Sequence, residues 1–165
     1  MSATTVERDT RALCPTDLRP ADYPVLAGAT ILKGTLVVLG ADGNAKHGVT
    51  GTGLFAVGRA RFTVDNTLGS SGDLRVEVEE GVFRWVNGDT ITSAHVGDPA
   101  FIVDNQTVVK TGSSQSFAGV IAKVDSIGVW IESSLKLSAL YSVTAGDYTT
   151  LSSNLASTGV GNGAS

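Results

Sequence analysis

The chain has 165 residues, a formal net charge of −4, and a composition of 42% hydrophobic, 17% charged and 6% aromatic residues, with 20 glycines. That is enough apolar material for a real core, and many glycines with few long charged side chains favour short strands joined by turns over helix bundles. The acidic balance and dispersed Lys and Arg argue against nucleic acid as the main partner, and the single cysteine, Cys14, excludes an internal disulfide or a thiolate metal cluster.

In chain order, residues 1–24 read as an extended N-terminal arm. They are polar and carry Pro15, Pro20 and Pro24, and proline fixes φ and lacks an amide donor. Met1 to Arg11 contains Glu7, Arg8, Asp9 and Arg11 and lacks the apolar run of a signal peptide. No stretch approaches the roughly 18 apolar residues of a membrane span. A lone thiol fits synthesis in a reducing cytoplasm.

Residues 25–132 read as a β-rich core. Val25 to Gly28 opens it, and Lys33 to Leu39 is a strand ended by the turn Gly40-Ala41-Asp42-Gly43-Asn44. Leu54 to Val64 is a second strand, broken by a bulge at Gly58. Asp73 to Glu79 alternates most clearly, with Leu74, Val76 and Val78 on one face and Arg75, Glu77 and Glu79 on the other. Glu80-Gly81 leads into Val82 to Val86, and Asn87-Gly88 is a hairpin-type turn signal. After a loop or single turn over Ser93 to Pro99 come strands at Ala100 to Val103 and Thr107 to Lys110. The last two, Phe117 to Val124 and Gly128 to Glu132, flank a tight turn.

An internal repeat runs through this core. Gly34, Leu36-Val37-Val38, a turn at Asp42-Gly43-Asn44 and Phe55-Ala56-Val57-Gly58 are echoed by Gly97, Phe101-Ile102-Val103, a turn at Asp104-Asn105 and Phe117-Ala118-Gly119-Val120. Two such β-units packed together predict an all-β fold, a small barrel or sandwich with extended arms at both ends. Residues 133–165 form the C-terminal arm. Leu135, Leu137, Leu140, Tyr141, Val143 and Tyr148 are spread among Ser, Thr, Gly and Ala, too thinly to offset the entropy of ordering.

No enzyme constellation emerges. His47 and His95 are the only histidines, no Gly-x-Ser-x-Gly elbow is present, and two His with one Cys do not suffice for zinc. Asp42-Gly43-Asn44 lacks the remaining ligands of a calcium loop, and Gly51-Thr52-Gly53 does not match a dinucleotide fingerprint. Glu77 and Glu79 read as the wet face of a strand. No metal and no cofactor are expected.

The ordered series Lys33-Gly34-x-Leu36-Val37, Phe55-Ala56-Val57-Gly58, Gly72-Asp73-Leu74-Arg75-Val76-Glu77-Val78 and Gly81-Val82-Phe83 resembles a known family. It continues through Val96-Gly97-Asp98-Pro99-Ala100-Phe101-Ile102-Val103-Asp104, Phe117-Ala118-Gly119-Val120 and Gly128-Val129-Trp130-Ile131. Together these segments, over about residues 25–132, resemble the capsid cement (head decoration) proteins of tailed bacteriophages. Two features depart from that pattern: Gly58 follows Val57 where the family reads Phe-x-Gly-Val, and the C-terminal extension is longer. The resemblance implies a non-enzymatic virion protein, made in the host cytoplasm, on the outer surface of the capsid. There it would bridge major capsid protein subunits and associate with itself, as a trimer first and a dimer second, with no direct contact to nucleic acid or membrane. The partner-binding residues expected on the arms are Arg8, Arg11 and Tyr23 at one end and Leu137, Leu140, Tyr141 and Tyr148 at the other. The alternative is a carbohydrate-binding or adhesin-like β module on a virion or cell surface, using Trp85 and Trp130 as an exposed platform.

Overall fold

The structure, a computed structural model, describes residues 3–10 and 21–141. The fold is all-β. Strands β1 (Ala21–Pro24), β2 (Thr30–Ile31), β3 (Leu36–Leu39), β4 (Ala45–His47), β5 (Phe55–Ala60), β6 (Val64–Asp65) and β7 (Arg75–Glu79) make up the first half. Strands β8 (Gly81–Asn87), β9 (Pro99–Ile102), β10 (Thr107–Val109), β11 (Phe117–Asp125) and β12 (Gly128–Ser133) make up the second, and residues 135–141 form a helix, α1.

The first half is a five-stranded sheet in the order β1-β7-β5-β3-β4; the second is a closed barrel in the order β8-β12-β11-β9-β10. The two orders correspond strand for strand. β10 closes the barrel by pairing parallel to β8, with the Gly88 amide donating to the Val108 carbonyl. At the matching place in the first sheet, Val25 forms a parallel bridge to Ala45 and the Leu26 amide donates to the Ala45 carbonyl. The first sheet therefore curls until its edges touch. Gly34 and Thr35 exchange backbone bonds with Ala60, and Gly97 and Asp98 do the same with Ile121. Bulges fall at Gly58 opposite β3 and at Gly119 opposite β9, both glycines with positive φ. The sequence repeat is thus a repeat of structure. β7 ends the first unit, β8 begins the second, and Glu80 alone joins them.

The units share a seam. β3 is buried on both faces, which explains its unbroken apolar run. Leu36 and Val38, with Ala56, join the barrel's cluster of Phe83, Trp85, Ile102, Ile121 and Ile131, while Val37, Leu39 and Val57 join Val25, Val76 and Val78 in the first unit. The Leu36 amide donates to the Asn105 carbonyl across the seam, and Gly48 lies against the backbone of Asp104 and Asn105. A small pair, β2-β6, completes the first unit.

Four expectations change. Leu74 precedes β7 and is 42% exposed, so the buried face of that strand is Val76 and Val78 alone. Asn87-Gly88 does not make a hairpin, because β8 pairs with β12 and β10 and not with the strand that follows it. Instead the Asn87 side chain binds the loop itself, accepting from the amides of Asp89 and Ile91 and donating to the Ile91 carbonyl. Tyr23, assigned to the N-terminal arm, lies in β1 opposite Val76. The C-terminal segment begins as a helix. Ser134 caps it, with Oγ accepting from the Leu137 amide, and Leu, Lys and Ala are good helix formers.

Candidate interaction surface

Residues 3–10 do not reach away from the body; they strap the two units together. The Thr4 amide donates to Asn105 Oδ1 and Asn105 Nδ2 returns a bond to the Thr4 carbonyl, which fixes the strap to the second unit. The Arg8 amide donates to the Lys33 carbonyl, Thr63 Oγ1 to Glu7, and Thr10 Oγ1 to the Gly34 carbonyl, which fixes it to the first. Arg59 donates to the Thr10 carbonyl and to Glu79, with its guanidinium 4.5 Å from the centre of the Phe83 ring.

Arg8, expected to meet a partner, turns inward. Its guanidinium lies 5.9 Å from the centre of the Trp85 ring, and Nη1 is buried without a hydrogen-bond partner. Burial, then the neighbouring Arg84, lowers its pKa, against the pull of Asp104. Tyr23 is half-buried, and burial followed by Glu80 raises its hydroxyl pKa. Arg11 and Tyr148 lie outside the described residues.

The strap crosses Gly34 at a point where a Cβ would stand 1.9 Å from the Arg8 carbonyl oxygen, and Gly34 has φ +79°. Gly34→Val is therefore expected to lift the strap while both cores stay folded. Limited trypsin digestion read by mass spectrometry should show faster cleavage after Arg8; equal protection in both proteins would refute the docked strap.

Helix α1 lies where the units meet. The Leu135 amide donates to Glu80 Oε1 at the junction, and Ser138 Oγ donates to the Ala56 carbonyl of the first unit. Tyr141 stacks on Phe117 of the second unit (4.3 Å, 6°) and meets Phe101 edge-on. Leu137, Leu140 and Tyr141 line an open, mostly apolar cavity of about 270 Å³ with Pro99, Phe117 and Val120. The structure thus brings together three of the C-terminal residues singled out in the sequence, of which Leu140 is exposed.

Among the described residues, the large apolar side chains that face solvent are Val6, Phe62, Leu68, Leu74, Val96, Ile127 and Leu140. Four of these seven lie in the connections β5–β7 and β11–β12. Leu68 is fully exposed on a loop that is nonetheless fixed. Asn66 is buried, its Nδ2 faces the carbonyls of Val25, Leu26 and Ser70, and its amide and carbonyl bind Ala29, Gly28 and Gly69. The sequence analysis places Phe62 and Leu74 in strands and describes the β11–β12 connection only as a tight turn, so it singles out neither Leu68 nor Ile127. The available signal was a large apolar residue inside turn chemistry, as in Asn66-Thr67-Leu68-Gly69 and Asp125-Ser126-Ile127-Gly128.

The β11–β12 turn is held by Asp125, which accepts from Trp130 Nε1 (2.8 Å) and the Ile127 amide (3.1 Å) and pairs with Lys123 (3.2 Å). These bonds, Trp130 first, lower the Asp125 pKa. A depressed folded pKa contributes stability that is present above the ordinary aspartate value and lost as pH falls through the folded one. Trp130 fluorescence is expected to hold through the ordinary aspartate range and change only at more acid pH. In Asp125→Asn that late change should vanish; its persistence would assign the transition elsewhere.

His95 closes a one-turn 3₁₀ helix with Thr92, and His47 lines a cavity with Thr4 and Asn105. Among the described residues no three of His, Cys, Asp and Glu are grouped to hold a metal. No helix among them is long and apolar enough to cross a membrane. Trp85 and Trp130 are 1% and 6% exposed, so neither offers a platform for a sugar. No protein-family model, curated protein or solved structure matches the chain.

Proposed function

We propose that this chain is a capsid cement protein, binding the outside of a tailed-phage head and bridging major capsid protein subunits. The observation that carries this reading is the way the body meets solvent. Its barrel closes on itself, which removes the free edges through which β-proteins pair indiscriminately, and the first sheet curls until one bridge, Val25 to Ala45, joins its ends. Its exposed apolar side chains are concentrated on braced connections. Such a body suits docking onto a surface that is already formed. The motif series that resembles the family supports the same reading, since it includes both bulge glycines and both Phe-Ala strands. Self-association follows as a proposal too, with a trimer on a local threefold axis preferred, because many weak contacts repeated by symmetry give avidity. The burial of both tryptophans removes the feature on which the carbohydrate-binding alternative rested.

The test mixes purified protein with empty, expanded heads of the phage that encodes it. Co-sedimentation at a fixed ratio to the major capsid protein, with heads more resistant to heat, is the expected result. Heads that recover no protein at saturating concentration would defeat the reading.

A further inference from the structure

Lys and Arg are dispersed in the sequence, but the fold gathers four of them around a single cavity of about 210 Å³ beside the N-terminal strap. Arg8 and Asp9 of the strap line it, with Lys33 from the approach to β3, Arg59 and Arg61 from the end of β5, and Glu79 of β7. In a chain of net charge −4, such a cluster does not follow from composition. Glu79 pairs with both Arg59 and Arg61, and Glu77 takes a second bond from Arg61 (2.8 Å). Those carboxylates balance Arg59 and Arg61 and leave the other two cations uncompensated. Neither Arg8 nor Lys33 forms a salt bridge among the described residues, and Asp9 is exposed. Arg8 Nη1 is buried without a hydrogen-bond partner, and a buried charged donor left unanswered is costly.

The cationic donors come from three separate places: the strap, the approach to β3 and the end of β5. A carboxylate brings a single charge and oxygens in one plane. A phosphate group brings nearly two charges at neutral pH and oxygens in a tetrahedral array, so it can accept from several directions at once. We propose that this cavity binds a phosphate group, free or as a monoester, through Arg8, Lys33 and Arg61, and that the bound anion ties the strap to the first unit. The proposal does not depend on the cement reading.

The test titrates inorganic phosphate, and separately glycerol phosphate, into the full chain at constant ionic strength and neutral pH, read by calorimetry. Saturable binding at a single site is expected, and the tighter ligand of the two identifies the source as free phosphate or ester. Lys33→Gln should weaken binding by about tenfold, with the phosphate-free melting temperature unchanged because Lys33 is exposed. Lys136→Gln, at an exposed position that does not line the cavity, should bind as wild type does. Trypsin cleavage after Arg8 should slow severalfold in saturating phosphate. A response that never saturates, or equal losses in the two variants, would mean general screening and overturn the site. Saturation untouched by Lys33→Gln would place the anion elsewhere and overturn it as well. Acetate binding as tightly as phosphate overturns the ligand class, and unchanged cleavage after Arg8 overturns the tie to the strap.

Discussion

Gly119→Val is expected to destabilise the protein by about 3 kcal/mol or more, because two separate penalties act at one atom. The residue has φ +147°, where an L side chain is strained, and a Cβ there would stand 2.1 Å from the Glu132 carbonyl oxygen on β12. That obstacle is backbone in the centre of a closed barrel and cannot swing aside. Gly58 repeats the arrangement in the first unit, with φ +130° and 2.1 Å to the Glu79 carbonyl oxygen, so Gly58→Val should cost about as much. Gly43→Ala is the internal control. It has φ +76° but no atom within 4 Å of the added Cβ, and is expected to cost only about 1 kcal/mol. Urea denaturation of the three variants separates strain from collision. Equal midpoints for Gly119→Val and Gly43→Ala would show that the bulge can open without cost.

Trp85→Ala should cost about 3–5 kcal/mol, the range for removing a large buried aromatic. Trp85 is almost wholly buried, meets Phe83 edge-on at 6.4 Å, and carries the Arg8 guanidinium over its ring. Its loss opens the barrel core and removes the surface on which the N-terminal strap rests. Trp85→Phe should be much milder. The indole Nε1 is buried with no hydrogen-bond partner, so phenylalanine keeps most of the packing and removes an unsatisfied donor. Denaturation midpoints give the ranking, and trypsin cleavage after Arg8 reports the strap. Trp85→Phe as damaging as Trp85→Ala would mean that the indole nitrogen is satisfied in solution, by an ordered water for instance.

Much of the fold was legible because strand periodicity and turn chemistry are local. The turn at Gly40 to Asn44 closes through Asp42, whose carboxylate accepts from Asn44, and the bulge at Gly58 falls where a glycine interrupts an apolar run. The repeat was readable from two Phe-Ala motifs and the glycines before them. Partner choice was less accessible, since it depends on distant residues. Nothing near Asn87-Gly88 reveals that β8 will run beside β10, so a sound local turn signal gave the wrong pairing. The docked ends were illegible for the same reason. Arg8 is a polar residue in a polar segment, and only the Gly34 surface and the Trp85 ring turn it inward. Tyr141 sits among serines and alanines, and its stacking on Phe117 is a contact between residues far apart in the chain. Leu68 was missed because composition describes a loop without saying whether the loop is held.

Two units of matched topology joined through Glu80 also set a problem in folding kinetics. Each strand of the five-stranded sheet has a near-equivalent competitor in the barrel, and chains of similar modules are prone to kinetic traps in which the wrong partners meet first. β7 and β12 both approach a glycine-bulged neighbour in the same way, so either one taking the other's place beside β5 or β11 would look locally correct. Connection length offers the discrimination. β11 and β12 are joined by a tight turn and can zip together within microseconds, whereas β5 and β7 must close a longer loop that includes β6. The barrel half is expected to form first and remove its strands from competition, leaving the first half to assemble against the face that β3 and β5 share with it.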